Sequence, residues 1–132
     1  MHIRCSKKDL INSLSMCMSA ITNTNNNPII NNILFLFSDE NLSLISTNLE
    51  ITIKTNLKAE ILEKGDITIP AKKLLDIAKE ANEDIDIFSN ENKINIKLGK
   101  SKFNILSMPK DDFPSLPDIE LEKDSSNIVF LK

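Results

Sequence analysis

The side chains able to do acid–base, metal or nucleophilic work are few in this chain, and they do not gather. His2 is the single histidine and sits near the amino terminus. Acid–base or metal chemistry needs partners in register with it, and none lies nearby. Cys5 and Cys17 form no CxxC pair and have no histidine cluster nearby. A disulfide framework in so small a chain needs more cysteines, and the pattern fits buried, reduced thiols. Gly65 and Gly99 are the only glycines, which leaves no glycine-rich phosphate loop to be written. Asp111 and Asp112 are adjacent, and a solvated linker explains them better than a metal pair. Ser6, Ser13 and Ser15 have no base near them in sequence, and capping and helix-surface roles suffice. These residues predict no catalytic centre, no metal and no cofactor.

The lysines say more. Lys7 and Lys8 open one helical segment, and Lys72, Lys73 and Lys79 punctuate another. Lys72 and Lys79, seven residues apart, share a face opposite the Leu74, Leu75 and Ala78 stripe. Asp76 and Glu80 also lie outward and temper the charge. A plain solvated surface accounts for this arrangement, and pattern alone favours it. The functional alternative is a mildly basic lining that meets phosphate oxygens without reading bases. Lys93, Lys97, Lys100 and Lys102 cluster around a hairpin whose apolar members are Phe103 and Ile105. Such charges guard a strand edge against unwanted pairing or form the rim of a subunit contact. The residues leave these two readings equal.

The elements that must position these groups occur twice. Ile3-Arg4-Cys5-Ser6-Lys7-Lys8-Asp9-Leu10-Ile11 and Ile67-Thr68-Ile69-Pro70-Ala71-Lys72-Lys73-Leu74-Leu75 are each a short alternating strand followed at once by an amphipathic helix. Phe37-Ser38-Asp39-Glu40-Asn41 returns as Phe88-Ser89-Asn90-Glu91-Asn92, each time between strand-like runs. The order strand, helix, strand, turn, strand is thus repeated, and an internal repeat fixes architecture. Ser6 caps the first helix, whose apolar spacing runs from Leu10 to Ile21. Thr22 to Pro28 is a polar loop. Plain alternation predicts one strand from Ile51 to Ile61. Pro109 to Asp118 reads as an extended connector, and Ile128 to Lys132 starts a new strand. The expectation is an α+β domain over 1–118, two pseudo-symmetric β-α-β-β-β units with two helices packed on antiparallel sheets. Residues 119–132 are then a linker and the first strand of a truncated second domain.

At 132 residues with 41% hydrophobic content, the chain can bury one real core and is too short for two ordinary domains. Its formal net charge of −3 excludes a protein that grips nucleic acid by overall charge. No apolar run is long enough to span a membrane, and the amino terminus lacks a signal-peptide core.

Four segments in order resemble the N-terminal domain of the bacterial sliding clamp, the beta subunit of DNA polymerase III. Pro28-Ile29-Ile30-Asn31-Asn32 resembles its P-I-L-x-N segment. Leu42 to Glu50 resembles L-x-L-x-x-T-D-L-E, with Asn48 in place of Asp. Ile69 to Ile77 resembles P-A-[RK]-K-x-x-D-I, and Phe103 to Pro114 resembles F-x-L-x-x-x-P-x-x-D-F-P. The resemblance implies the DNA clamp fold and a non-catalytic processivity factor of DNA replication. Its closed ring, a homodimer of three-domain subunits, would encircle duplex DNA without reading sequence and tether the replicative polymerase. The clamp loader and polymerase would bind later domains, and the protein would be bacterial and cytoplasmic.

The resemblance also implies site residues. Lys72 matches a DNA-contacting basic residue, and Lys79 and Lys7 extend that lining. The loop arginine of the family falls on Asn23-Thr24-Asn25, placing Thr24 toward DNA without the charge. Phe103 and Ile105 match the apolar subunit contact, flanked by Lys73, Lys93 and Lys100. The alternatives are a stand-alone clamp-fold interaction domain that does not encircle DNA and, from another class, a small-molecule enzyme, against which the missing acid–base constellation argues.

Overall fold

Strand β1 (His2–Ser6) alternates as its sequence does, with Ile3 and Cys5 buried and Arg4 exposed. Ser6 ends it and caps helix α1 (Lys7–Cys17), its Oγ accepting the Asp9 amide at 3.1 Å. Leu10, Leu14 and Cys17 form the buried stripe of α1. The helix stops short of Ile21. Met18–Ala20 tighten into a 3-10 turn, and the Ser19 hydroxyl donates to the Met16 carbonyl at 2.7 Å, satisfying an end carbonyl. The computed structural model describes residues 1–21, 28–114 and 127–131, the last stretch by backbone alone. Thr24 and the linker over 115–126 lie outside the described residues.

A 3-10 turn at Pro28–Asn31 leads into β2 (Asn32–Ser38), β3 (Asn41–Thr47) and β4 (Ile51–Asn56). Next come β5 (Glu60–Glu63), β6 (Ile67–Pro70) and helix α2 (Ala71–Lys79). The second half closes with β7 (Asp84–Asn90), β8 (Lys93–Leu98) and β9 (Ser101–Leu106), and β10 (Asn127–Leu131) follows. The single strand expected from Ile51 to Ile61 is therefore two, β4 and β5, in different sheets. Leu57 is buried between them and donates its amide to the Leu42 carbonyl at 2.9 Å. Alternation reports which face a side chain takes; it does not report a backbone changing sheets.

The two sheets have the orders β5-β1-β7-β8-β9 and β10-β4-β3-β2-β6, antiparallel throughout. Each half lends its leading strand to the other: β1 pairs with β7, and β6 pairs with β2. This exchange ties the repeats into one domain, because neither sheet is complete without a strand from the opposite half. The helices lie side by side, and α1 also packs on β3 and β4. A shared core joins both sheets to both helices through Ile3, Phe35, Leu44, Ile85, Leu14 and Leu74, all fully buried.

The Phe-Ser echo is not structurally in phase. One hairpin closes at Ser38 opposite Asn41, the other at Asn90 opposite Lys93. The turns are thus Asp39-Glu40 and Glu91-Asn92, with the first residue of each at positive φ (55° and 59°). The sequence echo is offset by one residue from that equivalence, and one residue flips a side chain to the other face. Phe37 accordingly packs on the core, whereas Phe88 meets His2 edge-on at 5.6 Å.

The connector expected after Met108 begins as an anchored strap. Thr68 Oγ1 donates to the Met108 carbonyl at 2.6 Å, and Lys110 lies 3.8 Å from Asp66. Phe113 is buried with Ile29, Ile30, Leu34 and Ile45 in a second small cluster. Two of the motif segments, Pro28–Asn32 and Phe103–Pro114, thereby meet across β2 and β3.

Candidate nucleic-acid face and subunit edge

On α2, Ala71, Leu74, Ile77 and Ala78 are buried, which turns Lys72, Asp76 and Lys79 to solvent. Lys72 and Lys79 are separated by about 20° around the helix axis, and Asp76, one turn along from Lys72, lies about 40° to its other side. Lys73 is also exposed, one position further round. On α1 the corresponding outward residues are Lys8, Asn12 and Ser15. Lys7 is placed differently from the solvent-facing lysines. It is half-buried, and its Nζ donates to the Lys79 carbonyl at 2.9 Å. That carbonyl belongs to the open end of α2, where a cation is favourable. Lys7 thus joins the start of one helix to the end of the other.

The second region is the edge strand β9. Phe103 and Ile105 are half-buried and pack on the margin of the core. Lys100 precedes the strand in a turn where Gly99 has φ +57°. Lys93 lies opposite Leu106 at the far end. The apolar pair is thus bracketed by exposed lysines, as the sequence suggested. Lys73 is exposed on α2, not on the strand. A cleft of about 540 Å³ borders the start of the edge, lined by Glu80, Glu83, Asp84, Leu98, Lys100 and Phe103. Sequence reading overlooked Leu106, which is 70% exposed on this strand. Its position next to Ile105 broke the alternation and was the available signal.

The pseudo-twofold that maps β1 onto β6 also maps β9 onto β4. β4 carries β10 along its outer edge, in register from Asn127 opposite Thr55 to Leu131 opposite Ile51. β9 has no such neighbour among the described residues. Its backbone donors and acceptors on that side are open to a further strand.

Elsewhere the ionisable groups look structural. Asp86 accepts from Arg4 Nε at 2.8 Å, and that bond and charge hold the guanidinium above its ordinary value. Burial pushes the Cys5 and Cys17 thiols up to about 12. Both are free and buried, as expected. Burial lowers the Lys54 ammonium. Asp111 and Asp112 are exposed, and no group of three or more candidate metal ligands occurs among the described residues. No described helix is long and apolar enough to cross a membrane.

Two halves that trade leading strands, with paired helices behind two antiparallel sheets, make the α+β architecture of a DNA clamp domain. The family model described as DNA polymerase III beta subunit, N-terminal domain, matches residues 1–117, and the chain belongs to that family. It is 32% identical over 121 residues to the beta sliding clamp of Pseudomonas putida, covering 89% of this chain and 33% of that protein. A crystal structure of a DNA polymerase III beta subunit from Eubacterium rectale superposes with TM-score 0.85 at 28% identity, over 93% of this chain and 34% of that one. The subunit from Pseudomonas aeruginosa gives 0.82 at 31%, over 89% and 33%. The chain spans about a third of the length of these relatives.

Proposed function

We propose that this chain is the first domain of a sliding clamp subunit: residues 1–118 form the domain, and 119–132 are a linker and the opening strand of a second. Two such three-domain subunits close a ring around duplex DNA in the bacterial cytoplasm. The ring tethers the replicative polymerase, and the clamp loader and polymerase dock on later domains. The observation that carries this reading is the pairing of edges. β4 receives β10 from the chain's own continuation, while the equivalent edge β9 has no neighbouring strand among the described residues. One edge passes the sheet on within a subunit, and the other accepts a strand from the second subunit. Phe103 and Ile105 supply the apolar centre of that contact, and Lys73, Lys93 and Lys100 its charged rim.

The helix face supplies the rest. Lys72 and Lys79 on α2 line the hole. Their modest charge suits the task, because tight phosphate contact would stop sliding. Encirclement makes polymerase rebinding intramolecular, at high effective concentration, with no bond made or broken by the clamp. The test is Phe103→Asp in the three-domain protein this reading requires. Sedimentation should show monomers with an unchanged circular dichroism spectrum. Dimers of undiminished stability would remove Phe103 from the interface.

A further inference from the structure

The repeat distinguishes the two lysines at the start of α1. Aligning Ile3–Ile11 with Ile67–Leu75 sets Ser6 against Pro70, Lys7 against Ala71 and Lys8 against Lys72. The structure agrees with this phase. Ser6 and Pro70 are the two N-cap residues, and Leu10 and Leu74 are both fully buried. Lys7 therefore occupies the flank that Ala71 fills in the other helix, and its ammonium is engaged by the Lys79 carbonyl. Lys8 occupies the outward position of Lys72, and both are exposed. No ion pair engages Lys8 among the described residues. The positions three and four residues beyond Lys8 are Ile11 and Asn12, whereas Lys72 has Asp76 at the fourth. Its charge is thus less compensated along its own helix than that of Lys72.

We infer that Lys8, not Lys7, is the phosphate-contacting lysine of the first helix, the pseudo-twofold mate of Lys72, and that Lys7 is a structural tie between the helices. This rests on the reading that the helix face meets duplex DNA. Each half of the domain then presents one lysine at the second position of its helix, and sequence-blind contact is shared between the repeats.

The experiment titrates the 132-residue chain with a 20-base-pair duplex at low salt, following lysine side-chain resonances by NMR across a salt series. Lys8→Gln and Lys72→Gln should each lower the slope of log affinity against log salt by about 0.9, the value for one lost phosphate contact. Lys7→Gln should leave the slope unchanged and lower the melting temperature. A reduced slope for Lys72→Gln with none for Lys8→Gln would overturn this inference while the helix-face reading stands. A reduced slope for Lys7→Gln alone would reverse the assignment. An unchanged slope in all three variants would remove the helix face itself, and this inference with it; where the 132-residue chain binds too weakly to titrate, the same series on the complete protein decides between these outcomes.

Discussion

Lys7 and Lys8 are neighbours with different work because a helix turns about 100° per residue. The sequence-based expectation put Lys7 in the DNA-facing lining and left Lys8 out, since charge type was visible and the carbonyl that engages Lys7 was not. Other single residues act through hydrogen bonds of the same local kind. Asn48 Oδ1 accepts the amides of Glu50 and Ile51 at 2.9 and 2.7 Å, while Thr47 Oγ1 accepts that of Leu49, which sits at φ +78°. An Asp at this position would offer the same acceptor oxygen. Asn48→Leu should cost about 1–2 kcal/mol, read from the urea midpoint, whereas Asn48→Asp should be near neutral. The thiols make a pH prediction. Unfolded, they ionise near 9; folded, burial holds them neutral to about 12. Between those values the unfolded state binds fewer protons, and stability falls as pH rises. Below 9 the contribution is complete and flat. The chain has no tyrosine to confuse the titration. Urea midpoints from pH 8 to 11 should decline, and Cys17→Ala should flatten the decline. A profile already flat in the parent chain would mean solvated thiols.

At the scale of elements, both helices were legible, α1 from its cap and apolar stripe and α2 from its stripe and charged face. Ser6, Leu10, Leu14 and Cys17 mark α1, and Leu74, Ile77 and Ala78 mark α2. Three features were not legible. The break between β4 and β5 keeps the alternation, and only the backbone reveals the change of sheet. The one-residue offset of the Phe-Ser echo is invisible until registers are known. The strap at Met108–Phe113 looked like a linker because its anchors, Thr68 and Asn32, are remote in sequence. The exchanged strands make the core common property of both halves. Leu74→Ala, at a fully buried position, should therefore cost about 2–5 kcal/mol and leave one cooperative transition. Two resolved transitions, one per repeat, would contradict a shared core.

The whole molecule is an unequal pair of equal halves. The pseudo-twofold gives two matching sheets, yet β5 covers the outer side of β1 and β10 covers β4, while β9 has no strand beyond it among the described residues. The same asymmetry leaves β6, the mate of β1, without an outer strand among the described residues; on the proposed reading β9 is the edge that meets a second copy. The repeat itself was plain in the sequence; the asymmetry was not, because nothing in Phe103 or Ile105 says which strand edge lacks a neighbour. A chain with net charge −3 and a mildly basic helix face suits retention by topology better than retention by grip. The most direct measurement loads the complete three-domain protein onto nicked circular DNA, raises the salt to 1 M and then linearises the circle. The account predicts persistence on the circle at high salt and prompt loss once ends are available. Loss from the circle on adding salt, or equal retention on circular and linear DNA, would contradict it.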